Sequence, residues 1–280
     1  MPIVPRRSVL YMPAHNVRAL EKARHLAADC IIMDLEDAVS PSMKTSARQQ
    51  ALAALREGGY GNREVAIRVN AINTEWFEDD LNAVITSSAA AVVLPKVEDP
   101  QTVQYVADRL TEGMAIWAMI ETPRGVASVE SIAASHSRLE VLVMGTSDLA
   151  KELRIPHRAD RLGFLYSLER CVLAARLAGV DIIDGVHLNL KDMDGFLNVC
   201  EQGRDLGFDG KSLIHPDQIA VANTVFAPAD EDVEKALRIL DAWQEAEAKG
   251  SGLVVLDGKL IENLHVAEAE RLLQLAEAIK

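Results

Sequence analysis

The sequence has no apolar run long enough to span a bilayer, and its opening residues do not read as a secretory signal. A membrane span and export are therefore not expected. Cysteine is scarce. Cys30, Cys171 and Cys200 are an odd set without metal-type spacing, which argues against a disulfide framework and predicts buried, reduced thiols. A zinc-type histidine cluster is also missing: His157, His187 and His215 are scattered, and a hydrogen-bonded structural role suits each better. Internal repeats and low-complexity tracts are absent. Net positive charge is lacking as well. Lys plus Arg number 29 against 42 Asp plus Glu, a formal charge of −13, which argues against nucleic acid as a partner. A cytoplasmic protein with neither nucleic-acid nor membrane partners is expected.

What is present is a large apolar fraction, 49% of 280 residues, enough for a sizeable core. Apolar runs rich in β-branched residues alternate with amphipathic stretches. Strands are expected at Ser8–Pro13, Cys30–Asp37, Val65–Asn70, Ala91–Lys96, Ala115–Glu121, Val141–Gly145, Val180–Val186 and Gly210–Pro216. Helices are expected between them, at Ala14–Ala28 with Asn16 as N-cap, Pro41–Arg56 stopped by Gly58-Gly59, and Glu75–Ile85. Further helices follow Asp99-Pro100 and Pro123, then Asp160–Ala178, Asp192–Leu206 and Gln218–Val225. Strict alternation implies parallel pairing, and eight units imply a closed (β/α)8 TIM barrel over residues 1–226. Residues 227–280 read as a helix, a Gly-Ser-Gly break, a hairpin turning at Asp257-Gly258 and a final helix, a C-terminal lid or oligomerisation segment.

In such a barrel, polar residues at the C-terminal strand ends form one set. Here they are Glu36 and Asp37, Arg68 and Asn70, Lys96, Glu121, and Asp148. Glu121 and Asp148 suit Mg²⁺, which takes oxygen ligands from one or two carboxylates, water and substrate, with Mn²⁺ as the alternative ion. Thr122-Pro123 and Gly145-Thr146-Ser147 place helix N-terminal amides beside them, to hold a substrate carboxylate or carbonyl oxygen. Arg68 is placed either to clamp that carboxylate bidentately or to pair with Glu36 or Asp37. Lys96 admits a Schiff-base reading as well as an ion pair. Residues 1–28 hold Arg6, Arg7, Arg18, Lys22 and Arg24 against Glu21 alone, which suits either an anionic ligand or a solvated face.

Together, Arg7-Ser8-Val9-Leu10-Tyr11-Met12-Pro13, Asp34-Leu35-Glu36-Asp37-Ala38-Val39, Arg68-Val69-Asn70, Leu94-Pro95-Lys96, Ile120-Glu121-Thr122-Pro123 and Gly145-Thr146-Ser147-Asp148-Leu149 resemble one family. Gly207-Phe208-Asp209-Gly210-Lys211 and Ile214-His215-Pro216 extend the likeness. The family is the citrate lyase β-subunit-like members of the HpcH/HpaI aldolase superfamily, the free-standing malyl-CoA and citramalyl-CoA lyases in particular. The resemblance implies a TIM barrel, Mg²⁺, acyl-CoA and small keto-acid ligands, and a homo-oligomer, a trimer or dimer of trimers. It assigns the metal to Glu121 and Asp148, and the keto-acid carboxylate to Arg68. It places catalytic acidic residues at Glu36 and Asp37, and CoA contacts at Arg7, Tyr11, His15, Lys22 and Lys44. In the lid, Glu262 stands where the family carries a catalytic aspartate, and Leu264 where it carries proline. The expected activity is Mg-dependent retro-Claisen cleavage of a citramalyl-CoA or malyl-CoA type ester to acetyl-CoA and pyruvate or glyoxylate. The alternatives are a (3S)-malyl-CoA thioesterase and the β subunit of a citrate lyase complex acting on an acyl-carrier thioester.

Overall fold

The computed structural model describes residues 3–248 and 254–280. The alternation seen in the sequence becomes eight parallel strands: β1 (Ser8–Pro13), β2 (Cys30–Asp34), β3 (Glu64–Arg68), β4 (Ala91–Leu94), β5 (Ala115–Ile120), β6 (Leu139–Met144), β7 (Asp181–Asp184) and β8 (Gly210–Leu213). They pair in sequence order and β1 closes against β8, with Leu10 opposite Leu213, so the sheet is a TIM barrel without an edge. The helices are α1 (Val17–Ala23), α2 (Lys44–Glu57), α3 (Phe77–Ile85), α4 (Pro100–Ala107), α5 (Pro123–Ala127), α6 (Val129–Ala133), α7 (Thr146–Leu153), α8 (Leu165–Ala178), α9 (Met193–Leu206) and α10 (Ile219–Val225). Arg6–Val225 form one compact unit, and the described residues from Phe226 onward, with residues 3–5, form a second. Among the described residues no helix is long and apolar enough to cross a membrane.

Local chemistry sets the boundaries. The side chains of Asn16, Asp99, Thr122 and Asp192 accept the N–H groups of Ala19, Thr102, Gly125 and Gly195, capping α1, α4, α5 and α9. Helix α1 is shorter than its apolar pattern suggests, because the Arg63 guanidinium takes up the carbonyls of Ala23 and Leu26 at 2.6 and 2.8 Å. Strand β2 stops before Glu36, because the Asp34 carboxylate accepts the N–H groups of Glu36 and Ala38 and bends the chain there. Helix α8 begins at Leu165 and not at Asp160. Arg161 takes a left-handed φ of +51° that no α-helix accommodates, as its guanidinium bonds Asp184 of β7.

The barrel interior follows the period of two. Val9, Tyr11, Cys30, Ile32, Ala66, Val93, Trp117, Met119, Val141, Val143 and Ile183 line it. None of the three cysteines, all buried, forms a disulfide. Beneath this layer Arg6 leads into β1, and its guanidinium bonds Glu64, Glu140 and Asp181 at the starts of β3, β6 and β7. It also lies 5.5 Å from the Trp117 ring centroid.

In the second unit, α11 (Asp230–Ala248) and α12 (Asn263–Ala278) flank a hairpin of β9 (Val254–Leu256) and β10 (Lys259–Ile261). Asp257 and Gly258 both take positive φ, +51° and +75°, as a two-residue hairpin turn requires. Ala236, Ile239, Trp243, Ile261 and Ala269 form its core. The expected Gly250-Ser251-Gly252 break lies outside the described residues.

Candidate active site

Above the apolar layer, the same alternation turns from hydrocarbon to charge. In β2 the inward series Cys30, Ile32 continues as Asp34, and in β3 Ala66 continues as Arg68. Asp34 pairs in register with Arg68. The guanidinium binds the carboxylate with two parallel bonds, Nε to Oδ1 and Nη2 to Oδ2, each 2.7 Å. The Tyr11 ring lies under Arg68, 4.8 Å from centroid to guanidinium carbon. Burial would raise the Asp34 carboxyl, but Arg68 and two backbone N–H groups hold it below the ordinary value. Arg68 keeps Nη1 free of Asp34. It stands 3.2 Å from Glu36 Oε2 and 4.0 Å from Asp37 Oδ2.

Glu121 follows β5 and is 3% exposed. Its Oε1 accepts the Lys96 N–H at 2.8 Å. Burial first, then the nearby Glu36 charge, push its carboxyl up to about 7. It fits only because residue 145 is glycine: a Cβ there would lie 2.2 Å from Glu121 Oε2. Gly145→Ala is accordingly expected to cost about 1–3 kcal/mol by overpacking. Thermal melts read this cost, and an unchanged melting temperature would contradict the packing. Glu36 is also raised, by burial foremost. Its Oε1 takes the Lys96 ammonium at 2.6 Å. Its Oε2 is buried and within ion-pair range of Arg68, yet has no hydrogen bond of acceptable geometry. Asp148, in the first turn of α7, lies 3.4 Å from the same ammonium.

These groups suit a hard divalent cation. The donors are all carboxylate oxygens, and a buried Glu121 with a raised pKa is a carboxylate short of compensating positive charge. Among the described residues no three metal-binding side chains converge on one point. An ion held by Glu121 and Asp148 would therefore draw its remaining ligands from substrate and water. The Schiff-base reading of Lys96 loses ground. Its ammonium is bonded to Glu36, which raises its pKa against the lowering effect of burial, whereas a nucleophilic amine must be neutral.

Other expected residues are placed differently. Asn70 donates through Nδ2 and its backbone N–H to Asp80 and is 2% exposed, so it braces the β3 end and does not face a ligand. Lys44 is buried, and its ammonium bonds the carbonyls of Leu35 and Glu36 at 2.8 and 2.7 Å. It shapes the loop that presents Glu36 and is not available to a phosphate. Arg7 is bound bidentately to Asp29 at the N-terminal end of the barrel, away from the mouth. Tyr11 lies inside the barrel, its hydroxyl 3.6 Å from Met119 Sδ. The basic N-terminal residues thus do not form one patch. His15 remains exposed at the β1 end, and Lys22 remains exposed on α1. The Thr122 hydroxyl caps α5 with Pro123 at its first position, so it serves the helix. Thr146 is buried and Ser147 exposed at the start of α7. Asp37 is exposed beside Arg68. Glu262 is exposed at the hairpin's end, where it caps α12 and its N–H donates to His265 Nδ1.

Two groups were not singled out from the sequence. Asp34 carries Arg68, and its place two residues before Glu36 on the inward face was the available signal. The second is a buried cluster in which Asp184 binds Arg161 and Lys211. Beside it Gly185 abuts Thr146, since a Cβ there would lie 2.4 Å from Thr146 Oγ1. No local pattern connects those positions.

The HpcH/HpaI aldolase/citrate lyase family matches residues 7–216. Over 275 residues the chain is 49% identical to (3S)-malyl-CoA thioesterase of Cereibacter sphaeroides (strain ATCC 17025 / ATH 2.4.3), covering 98% of this chain and 96% of that protein. It is 35% identical to citrate lyase subunit beta of Haemophilus influenzae, over 98% of this chain and 97% of that one. The crystal structure of CitE from Mycobacterium tuberculosis with magnesium, acetoacetate and coenzyme A superposes with a TM-score of 0.78 at 30% identity, covering 96% of this chain and 97% of that chain. A match over three quarters of the sequence, on a barrel whose charged residues gather at its C-terminal mouth, settles the family: this chain is an enzyme of the HpcH/HpaI aldolase/citrate lyase family.

Proposed function

We propose that the protein is a thioesterase that hydrolyses the CoA ester of a malyl-type 2-hydroxy acid. The observation that carries this is the 49% identity, over 98% of the chain, to a (3S)-malyl-CoA thioesterase. It shifts the emphasis from the lyase expected on resemblance to a hydrolase. Arg68 Nη1 takes the substrate carboxylate while Asp34 fixes the guanidinium plane. Glu121 and Asp148 would hold a divalent ion such as the magnesium in the CitE relative, and that ion would supply positive charge to the substrate's oxygens. Amides at the start of α7 face the carbonyl oxygen as negative charge develops on it. Glu36, raised by burial, takes a proton from water. The water oxygen attacks the thioester carbon, the C–S bond breaks, and the proton passes to the departing thiolate. The products are malate and free CoA.

The same site supports a second reading, favoured by the CitE structure that holds acetoacetate and coenzyme A. In it Glu36 takes the substrate hydroxyl proton, the bond between the carbinol carbon and its methylene breaks with its electron pair passing to the thioester enolate, glyoxylate leaves, and the proton held by Glu36 returns to the enolate carbon to give acetyl-CoA. Incubation with (3S)-malyl-CoA and Mg²⁺ separates the two. Free thiol and malate in equal amounts, without glyoxylate, are expected. Glyoxylate formed in step with acetyl-CoA would make the enzyme a lyase and sink the hydrolase assignment.

A further inference from the structure

Lys96 stands where carboxylates from three strand ends meet. Its ammonium is 2.6 Å from Glu36 Oε1 and 3.4 Å from Asp148 Oδ2, and its backbone N–H donates to Glu121 Oε1 at 2.8 Å. One residue thus touches both carboxylates assigned to the ion and the one assigned as base. To do so its backbone takes a φ of +51°, a left-handed conformation that residues with side chains adopt only when their surroundings hold them there. Among the described residues, no other cation forms a salt bridge with Asp148.

We propose that Lys96 is a place-holding cation: in the metal-free protein its ammonium neutralises Asp148 together with Glu36, and a divalent ion binds by displacing it from Asp148. The inference rests on the reading of Glu121 and Asp148 as the ion's ligands. Three features make Lys96 suited to the role. A flexible four-carbon stem lets the ammonium withdraw without moving the backbone. The Glu36 contact, the shorter of the two, gives it somewhere to stay once Asp148 is taken. The N–H bond to Glu121 belongs to the main chain, so it is kept whatever the side chain does. The consequence is a metal affinity set below what the two carboxylates alone would give, because an arriving dication meets a like charge already in position.

The sign of the effect separates this from a purely structural role. A side chain that only props the site would, on removal, weaken metal binding. A resident competitor, on removal, strengthens it. The experiment is isothermal titration of MgCl2 into the metal-free wild type, Lys96→Met, Lys96→Gln and Lys96→Arg, with thermal melts of each in EDTA and in Mg²⁺. The neutral variants are expected to bind Mg²⁺ about tenfold more tightly than wild type. They are also expected to melt lower in EDTA, because Asp148 then loses its cation and faces Glu36, which keeps only Arg68, and to regain stability in Mg²⁺. Lys96→Arg, which keeps the charge, stays near the wild-type affinity. The melts identify any variant that fails to fold, and the second neutral variant then decides. An unchanged or weaker affinity in a folded neutral variant overturns the proposal. A wild type that binds no Mg²⁺ overturns the metal reading itself, and the place-holder with it.

Discussion

Glu121→Gln is expected to reduce turnover by about 10³-fold while raising the melting temperature of the metal-free protein at pH 8. The loss reflects the several kcal/mol that a catalytic ion contributes to the transition state. The gain follows from the electrostatics of the empty carboxyl. Glu121 is 3% exposed, and its pKa rises from 4.5 to about 7. Between those values the folded protein holds a proton that the unfolded chain has released, so stability falls as pH rises through this window. Above it the full cost applies, on the order of 3 kcal/mol at most. Glutamine removes that cost and keeps an oxygen for the Lys96 N–H. A rise of a few degrees is expected at pH 8 and almost none at pH 4.5. By the same linkage, Mg²⁺ should stabilise the wild type more at pH 8 than at pH 5. Calorimetric melts at the two pH values test both statements, and a lower melting temperature for the variant at pH 8 would contradict them.

Arg68→Met carries the second large effect, and here activity and stability fall together. Arg68 and Asp34 are both buried and joined by two 2.7 Å bonds. Removing one partner strands a carboxylate in the barrel, at a cost of about 3–5 kcal/mol. In the wild type Asp34 has a depressed pKa. It contributes stability above its unfolded value of 3.8 and loses it as pH falls through the lower folded value. In the variant the sign reverses, because an unpaired buried carboxylate is raised and penalises the fold at neutral pH. Denaturant titration of Arg68→Met, Asp34→Asn and the double variant measures this. The double variant should recover part of the loss, as expected for two groups in contact. Single variants within about 1 kcal/mol of wild type would show that the pair contributes little. Arg68→Lys keeps the charge but not the fork, and should restore stability better than activity.

The barrel was legible because short, mostly apolar runs alternate with helical patterns, and every pairing but the closing one between β1 and β8 joins strands next in sequence. That Glu36, Arg68, Glu121 and Asp148 gather at one end of the barrel was legible for a related reason, since charge at the end of a buried apolar run marks where the strand reaches the barrel mouth. Partner choice was not legible. Arg68 does lie within ion-pair range of Glu36 and Asp37, but its bidentate partner is Asp34, which the β2–β3 register puts directly beside it, and register is a property of two strands. Arg7 and Lys44 were expected at CoA because the family resemblance places CoA contacts at their positions. Asp29, just past the basic stretch, claims Arg7, and backbone carbonyls claim Lys44. Long-range pairing likewise shortened α1 and delayed α8, where Arg63 and Arg161 reach carbonyls or carboxylates far along the chain.

The Arg6 contacts at the base of the barrel bear on how such an enzyme diversifies. A single guanidinium ties the approach to β1 to the starts of β3, β6 and β7, on the side of the apolar layer opposite Glu121 and Arg68. The barrel is thereby braced at the end away from the candidate site. Substitutions at the mouth can then accumulate, drift and be selected with little risk to folding. A scaffold divided in this way is free to exchange bond cleavage at carbon for cleavage at sulfur over evolutionary time, and relatives with either activity on one frame are its natural outcome.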